Sequence, residues 1–175
     1  MDSCIQTYTG LKFWPLEIER NINNICIEDI AHALSMICRF GGHCNNFYSV
    51  AEHSYHVSFF CNNQLEGLLH DAAEAYLFDI PKPLKQKLEN FVLYEFQLQK
   101  IIYNYFNVKK YFSKQLENID GAILKTERNY LMRKGFYWSL DNFNNQSFLD
   151  VNIECWSPEI AEKKFLDRFY DIKGE

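Results

Sequence analysis

Leu68-Leu69-His70-Asp71-Ala72-Ala73-Glu74-Ala75-Tyr76-Leu77-Phe78-Asp79-Ile80-Pro81-Lys82-Pro83-Leu84-Lys85 combines an apolar helical run with a dense set of ionisable groups. The run is expected to be one helix from Gln64 to Phe78, ending where Pro81 and Pro83 forbid continuation. His70 and Asp71 are adjacent within it, and Glu74 follows His70 at i+4, on the same helix face. Asp79 lies just before the prolines, and Lys82 and Lys85 add positive charge. Burying a His-Asp pair without partners is costly. A metal ion would remove that cost, so the stretch reads as half of a metal site.

Working outward, 175 residues with 47% apolar content predict a single domain over residues 1–175 with a full core of its own. Fifteen Phe and eleven Tyr make that core aromatic. A net charge of −5 argues against a nucleic-acid polymer or an anionic membrane as partner. It leaves room for a small anionic substrate met by a local positive patch. The six cysteines form no C-x-x-C pair and follow no signal peptide, so they read as buried reduced thiols of a cytoplasmic protein. The apolar runs are far shorter than the roughly 20 residues that span a bilayer.

Upstream, residues 1–25 read as an irregular arm with a short extended piece near Gln6–Tyr8 and Trp14 as a packing anchor. Ile27, Ile30, Ala31, Leu34 and Ile37 carry helical spacing up to Arg39-Phe40-Gly41-Gly42-His43, where two glycines stop the helix. His32 within it reads as structural or surface. Ser49-Val50-Ala51-Glu52 is a capping box opening a helix to about Cys61, on which His53 shares a face with Val50, Val57 and Phe60. His56, one turn on, reads as a neighbour or a surface residue. Downstream, Leu84 to Tyr105 predicts one long amphipathic helix whose apolar stripe is core. Another helix spans about Lys114 to Lys134, with Asp120 on its apolar side. Residues 135–155 read as irregular. Ser157-Pro158 then starts a last helix burying Ile160, Ala161, Phe165, Phe169 and Tyr170. Period-2 alternation is almost missing, so the fold class is all-α.

His53, the pair His70-Asp71, and Asp120 thus fall on three successive apolar faces. This mixed nitrogen and oxygen set suits Mn²⁺, Co²⁺, Fe²⁺ or Zn²⁺ better than a calcium cage or a thiolate site; Mg²⁺ is a further candidate.

The ordered segments Arg39-Phe40-Gly41-Gly42-His43, Tyr48-Ser49-Val50-Ala51-Glu52-His53-Ser54, Leu69-His70-Asp71-Ala72-Ala73-Glu74-Ala75 and Asp79-Ile80-Pro81-Lys82-Pro83-Leu84-Lys85 resemble the HD-domain metal-dependent phosphohydrolases. Within that group they resemble the bacterial 5′-deoxynucleotidases and, more closely, the small phage relatives that include dATP triphosphohydrolases. The resemblance covers roughly residues 27–130. It implies an HD-domain bundle of about six to eight helices and a divalent metal held by His53, His70, Asp71 and Asp120. Glu74 and Asp79 become the catalytic pair. Arg39 contacts phosphate or sugar, and the Phe40 ring, where the bacterial enzymes usually carry Trp, packs on the deoxyribose.

Cutting a deoxynucleotide at the α-phosphorus needs an acid for O5′ and a base for water. Glu74, in apolar surroundings that raise its pKa, is assigned the acid and Asp79 the water; the two roles can be exchanged. Arg39, Lys82 and Lys85 are expected to hold phosphate oxygens, with Pro83 between the lysines lining the site and His43 within reach of the base or sugar edge. Glu117 stands where the phage enzymes carry a phosphate-binding lysine, with Lys114 further off. The expected reaction is dNTP, dATP favoured, to deoxynucleoside plus triphosphate, in a homo-oligomer of the cytoplasm (the host's, if phage-encoded). The alternatives are a 5′-deoxynucleotidase acting on dNMPs and a nucleotide-sensing HD module. Alarmone hydrolases are disfavoured because Ala75 follows Glu74 where they carry Asp.

Overall fold

The spacing of Ile27, Ile30, Ala31 and Leu34 forms α1 (Ile27–Met36), and all four side chains are buried. This computed structural model describes residues 3–109, 111–135 and 148–174. Among them the chain is all-α apart from one small hairpin. The extended piece expected near Gln6–Tyr8 is that hairpin, β1 (Ile5–Gln6) paired antiparallel with β2 (Lys12–Phe13). Buried Asp29 of α1 anchors it by accepting from the Thr9 backbone N–H (2.7 Å) and hydroxyl (3.0 Å). Trp14 is the anchor expected, 8% exposed, with Arg20 stacked 3.9 Å over its ring.

Ser49 caps α2 (Val50–Phe60) by accepting from the Glu52 N–H. The capping box is only half made. Glu52 is fully buried and turns away to accept from the backbone N–H groups of Glu154, Cys155 and Trp156, which ties the C-terminal approach to α2. α3 (Gln64–Leu69) packs on α2 so closely that a Cβ on Gly67 would sit 3.0 Å from Ser58 Cα and from Cys61 Sγ.

The helix expected over Gln64–Phe78 is broken: α3 ends at Leu69, a turn carries His70 to Ala73, and α4 is Glu74–Leu77. The helix expected from Leu84 to Tyr105 also divides, into α5 (Lys82–Lys85) and α6 (Glu89–Tyr105). Only the second half of α6 is core. Leu98, Gln99, Ile102 and Tyr103 are buried, whereas Leu88, Val92 and Phe96 are exposed, contrary to the expected stripe. The first half of α6 runs beside the exposed α5 and the turn at Ile18–Asn21 instead of entering the bundle.

α7 (Lys114–Leu131) begins at Ser113, whose N–H and hydroxyl both donate to the buried Glu66 carboxylate of α3 (2.8 and 2.9 Å). That clamp fixes α7 against α3. α8 (Pro158–Lys173) buries Ala161, Phe165 and Phe169 against α1 and α2; Tyr170 is half-buried, and Ile160, expected inside, is exposed. Of the irregular stretch expected at 135–155, residues 136–147 lie outside the described residues. The cysteines are free, and Cys61 alone is fully buried, the other five being half-buried. Among the described residues no helix is long and apolar enough to cross a membrane.

Candidate metal centre

α2, the turn after α3, and α7 meet at His53, His70-Asp71 and Asp120. His53 is completely buried. Its Nδ1 lies 2.6 Å from Glu127 Oε1, and its Nε2 points at His70 Nε2, 3.2 Å away. The His70 Nδ1 lies 2.8 Å from the Gly67 carbonyl, an acceptor only, so Nδ1–H donates there and Nε2 is the ring nitrogen turned to the centre. Asp71 Oδ2 lies 3.2 Å from His70 Nε2 and 3.7 Å from His53 Nε2. These three donor groups lie within 4.8 Å of one another and could hold a metal ion. Asp120 Oδ1 approaches the two imidazoles, at 3.2 Å from His53 and 4.0 Å from His70.

The separations suit a shared ion. With metal–ligand bonds of about 2.1 Å, neighbouring ligands of a six-coordinate ion stand about 3 Å apart. Two imidazole nitrogens facing each other at 3.2 Å, with two carboxylates around them, match that spacing.

Charge is tuned to the same end. Burial would push Asp71 up, but His70, His53 and Arg39 outweigh it and hold the carboxylate far below its ordinary range. Asp120, half-buried, is likewise lowered, chiefly by the His53 contact. Burial and nearby Arg39 work to lower His53, yet Glu127 and Asp120 push it up to about 9. Without an ion, the proton on His53 does part of an ion's work.

Glu127 is the functional candidate the sequence reading missed. It is completely buried, accepts from the Tyr48 hydroxyl at 2.8 Å, and pairs with Arg39 Nη2 at 3.1 Å. Burial opposes its ionisation, but Arg39 and His53 hold it down to about 2. One signal was present: Glu127 is seven residues after Asp120, on the same face of α7.

The remaining expected site residues divide. Arg39 is brought to the centre, with Nη1 3.7 Å from Asp71 Oδ2. Burial works against its charge, and Glu127 and Asp71 restore it. Phe40 has φ 56° and packs on the buried Tyr48–Leu131–Ile153 cluster. Gly41, at φ +59°, lets the loop bend until its Cβ position is 3.8 Å from Pro81 Cγ. The Arg39–His43 loop therefore faces the Asp79–Lys85 segment. His43, Lys82 and Pro83 are exposed there.

Glu74 is buried, and burial together with Asp71 and Asp79 pushes it well above the usual carboxylate range. Its Oε2 is buried with no hydrogen-bond partner among the described residues, a free polar atom beside the centre. Asp79 is raised by burial and by Asp71, against Arg39. Lys85 Nζ bridges Glu74 (3.3 Å) and Glu95 (2.7 Å). The exposed Lys114 is tied to Glu117 at 2.7 Å. His32 pairs with Glu162 and stacks on Tyr8, the structural role expected. His56, 3.8 Å from Glu52, stands outside the centre.

Fold and site define an all-α bundle with a histidine–carboxylate centre that could hold a metal ion. No protein-family model matches the chain. It is 35% identical over 174 residues to the uncharacterized protein YfdR of Escherichia coli (strain K12), which covers 97% of this chain and 96% of YfdR. The chain belongs to the YfdR family.

Proposed function

We propose that the protein is a metal-dependent phosphohydrolase of the HD type, cutting 2′-deoxynucleotides at the α-phosphorus, with dNTP (dATP favoured) the substrate and triphosphate the product. The observation that carries this reading is the convergence of His53, His70 and Asp71, with Asp120, beside a buried and protonable Glu74. His53, His70, Asp71 and Asp120 would hold the ion. When bound, a divalent ion supplies charge neutralisation at the phosphate and acidifies a water.

The chain's own groups supply the rest. Glu74, whose carboxyl burial pushes well above the usual range, donates to O5′ as it leaves. Asp79 orients the water and accepts its proton. Arg39, held charged, and Lys82 at the exposed rim meet phosphate oxygens. Lys85 joins them by exchanging a carboxylate partner for phosphate. Gly41 and His43 line the sugar side together with Phe40. The exposed strip of Val92, Leu93 and Phe96 on α6, with Leu88 just before it, is where a second copy would pack.

A 5′-deoxynucleotidase is the second reading. Glu117 and its pairing with Lys114 favour it, because a cation for the outer phosphates is tied up there. A panel of dNMP, dNDP and dNTP over four bases, with Mg²⁺, Mn²⁺, Co²⁺ or Zn²⁺ and chromatography of products, separates the two. Triphosphate released from dATP in one step is the expected result. Phosphate from dAMP with dATP untouched replaces the first reading by the second. A chain that binds dNTPs and turns over none is the sensing module.

A further inference from the structure

We infer that Gln99 is a positioning residue for the metal centre: its buried carboxamide holds open the helix break that carries His70 and Asp71. The inference rests on the metal-centre reading above. Gln99 lies on the core face of α6 between Leu98 and Ile102, and it is 4% exposed. A buried amide is costly unless both of its halves are bonded. Here both are. Oε1 accepts from the Ala73 N–H at 2.9 Å, and Nε2 donates to the Leu69 carbonyl at 2.6 Å.

Those two backbone groups are the pair that an uninterrupted α-helix would join to each other. The carboxamide stands in for that bond and keeps its ends apart. The turn around it is tightened: Ala72 N–H bonds Leu69, Glu74 N–H bonds Asp71, and Ala75 N–H bonds Ala72, each three residues back. Insertion of a side chain into the helical ladder is a recognised cause of such breaks.

The break has a geometric result at the site. Four residues of α-helix advance a side chain about 40° beyond a full turn, and four residues at 3-10 pitch about 120°. Glu74 is therefore swung off the face that carries His70. It faces Lys85, while His70 and Asp71 stay toward His53. Gln99 thus takes the proton donor off the His70 face and sets it in line with Asp71.

An apolar side chain of the same length at position 99 leaves no orphaned group, because Leu69 and Ala73 can then bond directly. Gln99→Met is accordingly expected to fold and to close the helix. The test is calorimetric titration of MnCl₂ into the full-length wild type, Gln99→Met and Gln99→Glu, with thermal melts of each metal-free protein. Gln99→Met should melt within several degrees of wild type and bind Mn²⁺ tenfold or more weakly. Gln99→Glu offers the same donor and acceptor only when its carboxyl is protonated. Burial raises that carboxyl, so the variant's dissociation constant, taken as a ratio to wild type at each pH from 5 to 8, should fall steadily as the pH is lowered. Wild-type Mn²⁺ affinity in Gln99→Met overturns the role of Gln99 and leaves the metal centre standing. If Gln99→Met does not fold, a pH-independent ratio for Gln99→Glu overturns it instead. A wild type that binds no divalent ion removes the centre and this role together, and the wild-type titration alone reads that outcome.

Discussion

Asp71 and Glu74 are three residues apart on one stretch of chain, yet their surroundings tune them in opposite directions. Asp71 faces His70, His53 and Arg39, which hold it ionised against its own burial. Glu74 is buried with Asp71 and Asp79 as neighbours, and its single nearby lysine is shared with Glu95. In the proposed reaction the first would serve as a metal ligand and the second as a proton donor. The same division runs through the site: Asp120 and Glu127 are lowered on the metal side, while Asp79 and Glu95 are raised on the far side. Two carboxyl groups with pKa values pushed apart by their environments are the pattern by which acid and anion roles are assigned.

The contrast can be broken from either side. Asp71→Ala should give the largest effect, abolishing Mn²⁺ binding and hydrolysis together, measured by calorimetry and product chromatography. Glu74→Gln should keep the metal and lose about 10²–10⁴ in rate; normal turnover in that variant would remove Glu74 as the acid. Glu127→Gln touches the support behind His53 and should weaken metal affinity by about 10–100-fold. Because it also removes the largest of the carboxylate charges that compensate buried Arg39, its melting temperature should fall as well.

The smallest effect is a pH window in the metal-free protein. His53 sits at about 9 in the fold against an ordinary value of 6.5. The stability it contributes is therefore complete below pH 6.5 and is lost as pH rises through 9. Melts of metal-free protein should drop by several degrees across that interval. His53→Gln should flatten the drop. Saturating Mn²⁺ should do the same, because the ion then occupies the nitrogen the proton held.

Much of this was legible in the sequence because it depends on short-range pattern. The i, i+3, i+4 spacing of Ile27 to Leu34, the Ser49 cap and the Ser157-Pro158 start locate helices by local chemistry alone. His53, His70, Asp71 and Asp120 stood out as polar groups on apolar faces. What stayed hidden needed tertiary partners. The break at His70–Ala73 comes from Gln99, 26 residues after Ala73, and no local propensity announces it. Glu52 looked like a cap and is a clamp for residues 154–156. Glu127 gained its role only through Arg39, 88 positions earlier in the chain. Ile160 and the first half of α6 carry helical apolar spacing, yet Ile160, Val92, Leu93 and Phe96 stay exposed.

The most direct test of the central claim is electron spin-echo spectroscopy of Mn²⁺ bound to the wild type, with Asp71→Ala as the control. The geometry predicts tight binding at a single site, modulation from two imidazole nitrogens belonging to His53 and His70, and loss of the signal in Asp71→Ala. Binding without imidazole coupling, or binding that survives Asp71→Ala unchanged, would place the ion elsewhere and contradict the account.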